Sequence, residues 1–271
     1  MNQDSKGRNF KSTGPDKRWF PTRPMGLARA LQKAGYGTRR RTDEMVLVGR
    51  IRVDGEPVVD PSFQVDRHST IELDGRPLLE LVRNYFALHK PMRVVCSVSD
   101  GLDRRLVDDF LPKNIPGLQA AGRLDERTTG LLLVSNDKDW NELVTGMTHL
   151  EQEFQIQVEG ELTDLELSVV TAGVHLPGLG LFRPHSVQIV QRTSSRTVLT
   201  MVIREGKIRQ VRRMLSTLRH RITLLRRERI GEISLDDLPP GGLRPLEGRE
   251  VQYIRDQRTA NTPNRRKTRS S

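Results

Sequence analysis

Short apolar segments separated by glycines and charged residues most constrain the fold of the long middle part of the chain, residues 84–253. Alternating or continuous apolar residues predict six strands, and apolar residues at helical spacing predict three helices. The helices do not alternate regularly with the strands, so we predict a mixed sheet in an α+β domain. The predicted strands are Tyr85–His89, Leu131–Val134, Phe154–Val158, Ser186–Val190, Val198–Ile203 and Thr223–Ile230, and the predicted helices are Asp139–Thr145, Asp164–Ala172 and Ile208–Leu218.

A smaller module precedes this domain, over residues 25–79. Apolar residues at helical spacing predict two helices, which end at Gly35 and Gly49. The Asp54-Gly55 pair that follows lies between short apolar runs, which is a strong signal for a β-hairpin. We therefore predict a compact α+β module in front of the larger domain.

The net charge of +11 is concentrated at the two ends of the chain. Residues 1–24 carry six Lys or Arg against two Asp, and residues 254–271 carry six Lys or Arg against one Asp. Both ends are polar, and we predict that they are disordered. Basic tails beside a nearly balanced middle favour a nucleic acid partner, with a solubility role as the alternative. Neither tail has the apolar face of a membrane-surface helix, so no membrane partner is expected.

Several other functional classes find no support in the sequence. Cys96 is the single cysteine, so no disulfide can form within the chain, and a reducing, cytoplasmic setting is the simplest interpretation. No apolar run approaches the ~20 residues of a membrane helix, and the N-terminus lacks the apolar segment of a secretory signal. The six histidines do not follow metal-ligand spacings, and the glycines of Pro177–Phe182 are interpreted as a loop. We therefore expect no metal and no small-molecule cofactor, and a monomer in the absence of a recognisable apolar patch.

The densest polar segment is Gly122–Gly130, which leads directly into the apolar run Leu131–Val134. A carboxylate in this loop, such as Asp125, would lie at the edge of the sheet, partly removed from water and close to arginines. That setting suits an acid, a base or a nucleophile. On spacing alone, an Asp that only caps a turn is the more favoured interpretation.

A second dense segment, Arg204–Leu215, is basic. If it is helical after Gly206, its apolar residues share one face, Arg209 and Arg212 flank that face, and Arg213 lies on a more exposed side. Such a helix suits phosphate contacts, although basic helices are usually solvated surfaces.

Taken together, these segments resemble a known family. The segment AAGRLDERTTGLLLVSND closely resembles the signature loop of one group of ribosomal RNA pseudouridine synthases, which comprises the small-subunit type and the B, E and F types of the large subunit. EGKIRQVRRML and LLRRERIGEISLDDLPPGGLRPL are similar to later motifs of the same family, in the same order. The preceding LARALQKAGYGTRRRTDEMVLVGRIRVDGEPVVDP resembles an S4-type RNA-binding domain. The resemblance covers roughly residues 25–250 and reverses the preference for a turn-capping Asp125.

The resemblance implies a role for several residues of the larger domain. Asp125 would be the catalytic Asp, and Arg212 the basic residue that pairs with it. Arg123 would enter the RNA helix where the target base has left, and Leu225 would line the uracil pocket. Phe154 departs from the family, which usually has Tyr there. We expect Phe154 to stack on the flipped uracil, the alternative being a core residue in a chain that has lost activity.

RNA contacts are expected in both parts of the chain. In the S4-like module, Arg39, Arg40 and Arg50 match positions that would face RNA phosphates. In the larger domain, Arg209 and Arg213 on the basic helix are expected to contact RNA as well. Ribosomal RNA is the substrate that the resemblance implies.

Pseudouridine formation is an isomerisation that consumes no redox equivalents, and it needs one carboxylate, which either attacks the nucleoside or stabilises a ribosyl cation. The target base must also leave the stack. One competing hypothesis is a non-catalytic RNA-binding or ribosome-assembly protein derived from such an enzyme. Another is a nucleosidase or glycosidase, which would want two paired carboxylates. Glu126 adjoins Asp125, but neighbours in an extended loop point apart.

Overall fold

The computed structural model of the protein describes residues 21, 23–78, 82–96, 104–147, 149–204 and 208–260. The predicted tail over residues 1–24 lies almost entirely outside these residues, as does the chain beyond residue 260. The described residues form two compact units. The first contains those up to Tyr85 together with 110–120 and 134–141, and the second contains the remainder. The units therefore differ from a simple division between residues 79 and 84, because two later segments group with the first unit.

The first unit contains the two predicted helices and short strands of the S4-like module. These elements are β1 (Met25–Gly26), α1 (Leu27–Lys33), α2 (Arg39–Leu47), β2 (Ile51–Val53), β3 (Glu56–Pro57), β4 (Gln64–Val65), β5 (Ile71–Leu73) and β6 (Arg76–Pro77). The side chain of Thr38 caps α2 by accepting a hydrogen bond from the Arg41 backbone N–H. Gly35 and Gly49 follow the helices with positive φ, as helix ends favour.

The strands of this module pair as the hairpin signals predict. Four of them form an antiparallel sheet in the order β3-β2-β5-β6, with turns at Asp54-Gly55 and Asp74-Gly75. A further pair, β1 with β4, is too short to be recognised from sequence. One apolar core, which includes Leu27, Leu31 and Val46, joins the helices to the sheet. The compact α+β module predicted for this region is confirmed.

Strands outnumber helices in the rest of the chain. The elements are β7 (Tyr85–Lys90), a 3₁₀ turn (Val107–Phe110), β8 (Gln119–Ala121), β9 (Thr129–Ser135), α3 (Lys138–Gly146), β10 (Gln152–Glu159), α4 (Asp164–Ala172), β11 (Val174–Leu176), β12 (Gly180–Phe182), β13 (Ser186–Arg192), β14 (Arg196–Ile203), α5 (Ile208–Thr217), β15 (Ile222–Ile230), β16 (Ile233–Ser234), β17 (Leu243–Pro245) and α6 (Gly248–Ala260). All six predicted strands and all three predicted helices are present.

The main sheet has the strand order β13-β14-β10-β15-β9-β7-β17. Its neighbours β13-β14-β10-β15 are antiparallel, whereas β15 and β9 are parallel, so the predicted mixed sheet is confirmed. The parallel pair meets at Gly130, where φ is +105° and an added Cβ would lie 2.3 Å from the Arg227 carbonyl oxygen. Only glycine allows the two backbones to approach this closely.

The basic helix α5 packs on one face of this sheet. Its apolar side, with Val211, Met214 and Leu215, is fully buried against residues from the central strands. Because these residues recur at helical spacing, the arginines of the same helix are directed away from the core.

Two predictions for this region are wrong. The segment Pro177–Phe182 is not simply a loop, because Gly180–Phe182 pairs as a strand with Val174–Leu176 around a turn at Gly178. The chain from residue 254 is not a disordered tail as far as Ala260, because α6 runs through it. Val251 and Ile254, one helical turn apart, are buried and anchor that helix despite its charged sequence.

No helix within the described residues is long and apolar enough to span a membrane.

Candidate active site

The polar loop that carries Asp125 joins β8 to β9 and is held by backbone contacts. The Arg93 N–H donates to the Glu126 carbonyl at 2.7 Å, and the Thr128 N–H donates to the Asp125 carbonyl at 3.2 Å. Leu124 is buried, and its N–H donates to the Cys96 sulfur at 3.5 Å. The buried Leu124 and the adjoining strand fix the direction in which the Asp125 side chain leaves the loop.

Asp125 has two side-chain partners. The Thr128 hydroxyl donates to Oδ1 at 2.5 Å, and the Arg212 Nε lies 3.4 Å from Oδ2. The carboxylate is 26% exposed and the Arg212 side chain 27% exposed. The carboxylate is therefore accessible to a substrate while both of its oxygens are held in place.

Arg212 also binds the loop itself. Its Nη2 donates to the Arg127 carbonyl at 2.8 Å and to the Thr128 hydroxyl oxygen at 3.1 Å. Because Thr128 accepts from Arg212, its single proton is free to go to Asp125. The side chains of Asp125, Thr128 and Arg212 form one network, through which α5 binds the loop.

Thr128 is fully buried, and it is not among the site residues predicted from the sequence. The only signal is its position three residues after the Asp, where a turn brings a hydroxyl back to a carboxylate.

The second carboxylate of the loop has a different partner. Glu126 pairs with Arg104 at 3.1 Å, with Glu126 42% and Arg104 37% exposed. Glu126 is therefore paired with Arg104 and not with Asp125. This arrangement gives no support to a glycosidase site with two paired carboxylates.

A buried lysine adds positive charge beside the loop. Lys90 is fully buried, and its Nζ donates to the carbonyls of Pro91 and Val94 at 2.9 and 2.7 Å. Burial lowers the pKa of Lys90, while the nearby Cys96, Asp125 and Glu126 act to raise it. The ammonium is thus held by backbone oxygens close enough to Asp125 for their charges to interact.

The predicted RNA-contacting arginines of this unit are exposed. Arg209 and Arg213 lie on the solvent side of α5, and Arg123 lies in the polar loop two residues before Asp125. None of the three forms an ion pair with another described residue. These guanidinium groups are available to bind phosphates.

In the S4-like module, the three predicted RNA-contacting arginines differ in their environments. Arg39 pairs with Asp43 at 2.9 Å, and Arg50 forms a two-point pair with Asp74. The hydrogen bonds that Arg50 donates to Asp74 raise the pKa of Arg50, and the same bonds lower the pKa of Asp74. Arg40 is exposed without an ion pair inside the described ranges. Of the three, Arg40 is therefore the one most available for a phosphate.

Phe154 and Leu225 lie in the apolar core. Both are completely buried, on the side of the sheet that α5 covers. In the strand register Phe154 is opposite Arg227, and Leu225 is opposite Ile156. Neither the Phe154 ring nor the Leu225 side chain is exposed to a base in this structure, so their roles in binding uracil stay predictions.

No group of three or more His, Cys, Asp or Glu residues is placed to hold a metal ion within the part of the chain that the structure describes.

Comparison with known proteins identifies the family. The RNA pseudouridylate synthase family matches residues 84–217, and the S4 domain family matches residues 25–71. A crystal structure of a pseudouridylate synthase superposes with a TM-score of 0.59 at 25% identity, over 85% of this chain and 99% of that one.

Curated relatives match over most of their length. The ribosomal small subunit pseudouridine synthase A of Yersinia pestis is 36% identical over 87% of this chain and 96% of its own. The ribosomal large subunit pseudouridine synthase B of Bacillus subtilis is 30% identical over 84% of this chain and 95% of its own. The resemblance seen in the sequence is confirmed, and the chain belongs to the RNA pseudouridine synthase family, with an S4 domain in front of the synthase domain.

Proposed function

We propose that this enzyme converts specific uridines of ribosomal RNA to pseudouridine in the cytoplasm, without a cofactor, and that Asp125 is its catalytic carboxylate. The observation that carries the assignment of Asp125 is its network with Thr128 and Arg212. A carboxylate that is both solvent-accessible and held at each oxygen can be presented to a substrate in one orientation.

The reaction sets the requirements for the Asp125 carboxylate. The N1–C1′ bond of uridine breaks, the base turns, and a C5–C1′ bond forms, while the C5 proton is removed and N1 is protonated. Asp125 would either attack the nucleoside or stabilise the ribosyl cation, and both routes need an ionised carboxylate. Hydrogen bonds from Thr128 and Arg212 hold the two carboxylate oxygens in a fixed position.

The surroundings of Asp125 suit a flipped nucleotide. The target base must leave its stack, which costs ~a few kcal/mol and least where the base is unpaired. Arg123 is exposed beside Asp125 and would fill the space that the base leaves in the RNA. Arg209 and Arg213 on α5 would hold the flanking phosphates.

Ribosomal RNA is supported by the relatives and by the charge of the chain. The relatives are named as synthases for the small or the large ribosomal subunit. A net charge of +11, with an S4 domain whose Arg40 is exposed, suits a structured polyanion.

The test is release of tritium from ribosomal RNA transcribed with [5-³H]uridine. Purified protein is expected to release tritium into water and to produce pseudouridine, whose positions are then mapped. Asp125→Asn, which keeps the shape of the side chain, serves as the control. Free uracil would indicate a nucleosidase instead, and an absence of both products would favour the non-catalytic RNA-binding protein.

A further inference from the structure

Helix α4 presents an apolar stripe on the side that faces away from the core. Val170 on its inner side is buried in the core of the second unit, whereas Leu165, which is 76% exposed, and Val169 lie on its outer side. Ser168 and Ala172 share this outer side at helical spacing and are exposed as well. A helix that is apolar on both sides is typical of one that is covered on both sides.

The β11–β12 hairpin extends this stripe beyond the end of α4. A Cβ placed on Gly173, which ends the helix, would lie 3.2 Å from the Cδ1 of the exposed Leu181. Because Gly173 follows Val169 by one helical turn, Leu181 continues the same surface. We call this surface the α4 face, and it consists of Leu165, Ser168, Val169, Ala172 and Leu181. A monomer is expected from the sequence because no apolar patch is recognisable there, but the structure brings these two segments together.

Opposite charges lie at the two ends of the α4 face. Glu161, which precedes the helix, and Asp164 in its first turn are exposed at one end. Arg183 is exposed at the other end, where its Cβ is 3.0 Å from the position that a Cβ on Gly173 would take. Asp164 pairs with Arg192, whereas neither Glu161 nor Arg183 has an ion pair with another residue that the structure describes. The face is thus acidic at one end, apolar in the middle and basic at the other.

We propose that the α4 face pairs with the same face of a second copy of this chain, in a twofold dimer whose two α4 helices run antiparallel. A twofold axis brings a surface patch against itself, so the patch has to be self-complementary. Antiparallel helices place the apolar centres together and set Glu161 opposite Arg183 of the partner subunit. RNA suits this face less well, because its centre is apolar and one of its ends is acidic.

Pairing through the α4 face leaves the loop that carries Asp125 at a distance. Asp164 accepts a hydrogen bond from Arg192 at 2.7 Å, which places the start of α4 beside β13. In the main sheet β14, β10 and β15 lie between β13 and β9, the strand that follows the loop. Each copy in the dimer therefore keeps its own loop accessible to RNA.

The test is sedimentation equilibrium of the full chain from low micromolar to millimolar concentration, after ribonuclease treatment so that RNA does not bridge two copies. A few large apolar side chains make a small interface, so we expect a weak dimer that depends on concentration. Leu165→Glu places a charge against the apolar centre of the partner and should weaken dimerisation by at least ~10-fold. Leu47→Glu, at a residue 61% exposed on α2 of the first unit, is the matched control and should leave dimerisation unchanged. Thermal unfolding checks that both variants are folded.

Two charge reversals test the antiparallel arrangement. Glu161→Arg and Arg183→Glu each bring like charges together at both symmetry-related contacts, so either variant alone should dimerise at least ~5-fold more weakly. An equimolar mixture of the two variants restores opposite charges at both contacts. Heterodimers in this mixture should therefore form with an affinity close to that of the wild type.

Three outcomes would overturn the inference. A chain that stays monomeric up to millimolar concentration would leave the α4 face to a different protein or, if Leu165→Glu weakens RNA binding instead, to RNA. A dimer that persists in Leu165→Glu would show that another surface forms it. A mixture of the charge variants that associates as weakly as either variant alone would refute the antiparallel pairing. None of these measurements depends on pseudouridine formation, so their results are independent of the proposed function.

Discussion

Replacing Thr128 with Val isolates the contribution of one hydroxyl to the network formed by Asp125, Thr128 and Arg212. The two side chains have nearly the same shape, and Thr128 is fully buried, so the change removes hydrogen bonds with little change in packing. The bonds removed are the 2.5 Å donation to Asp125 and the 3.1 Å acceptance from Arg212. Arg212 keeps its bond to the Arg127 carbonyl and its contact with Asp125.

The expected loss of rate in Thr128→Val follows from the negative charge of the acceptor, Asp125. A hydrogen bond to a charged group contributes about 1.5–3 kcal/mol. At about 1.4 kcal/mol per factor of ten, loss of this bond in the transition state lowers the rate by about 10- to 150-fold. The free energy of unfolding should fall by about 1–3 kcal/mol, since Arg212 loses an acceptor.

The assay is single-turnover tritium release at saturating protein, with RNA affinity measured separately. Thr128→Ser is the control, because it keeps the hydroxyl and removes one methyl group. That variant should lose about 1 kcal/mol of stability and little of the rate. A wild-type rate for Thr128→Val, with RNA binding unchanged, would show that the network does not position Asp125.

Asp125→Asn should abolish tritium release in single-turnover assays and bind RNA with near-normal affinity; substantial turnover would refute its role. Arg212→Ala should lose most activity and about 1–3 kcal/mol of unfolding free energy in urea titrations, less than for a fully buried pair because both groups are about a quarter exposed. Replacing Arg209 and Arg213 with Ala should reduce the slope of log affinity against log salt by ~0.7–0.9 for each phosphate that is no longer bound, and an unchanged slope would exclude such contacts. Phe154→Tyr should retain the single-turnover rate, whereas Phe154→Ala should cost about 3–5 kcal/mol of stability in urea because the ring is fully buried. A wild type that is inactive until Phe154 becomes Tyr would contradict this.

Local signals predicted most of the secondary structure. The apolar run Leu131–Val134 forms the middle of β9. Thr163 and Glu166 form a capping box, which marks the start of α4. Helix α6 was not predictable in the same way, because its few apolar residues, such as Val251 and Ile254, lie among charged and polar residues. Their burial depends on the tertiary fold, which a local pattern does not contain.

The candidate site depends more on pairing between distant segments. The pairing of Asp125 with Arg212 was suggested by the family resemblance and not by spacing. The position of Phe154 opposite Arg227 depends on the register of β10 and β15, which shifts at an irregularity between Glu153 and Phe154. A strict period of two along each strand cannot locate such a shift.

The separation of Asp125 and Arg212 by 87 residues has a consequence for biosynthesis. At ~5–20 residues per second, the ribosome needs roughly 4–17 s to add the residues that separate them. During that interval the loop lacks both α5 and β15, which come later in the chain. The S4 domain, which is translated before either, can fold first. A nascent chain would therefore acquire its capacity to hold RNA before it acquires its capacity to modify it.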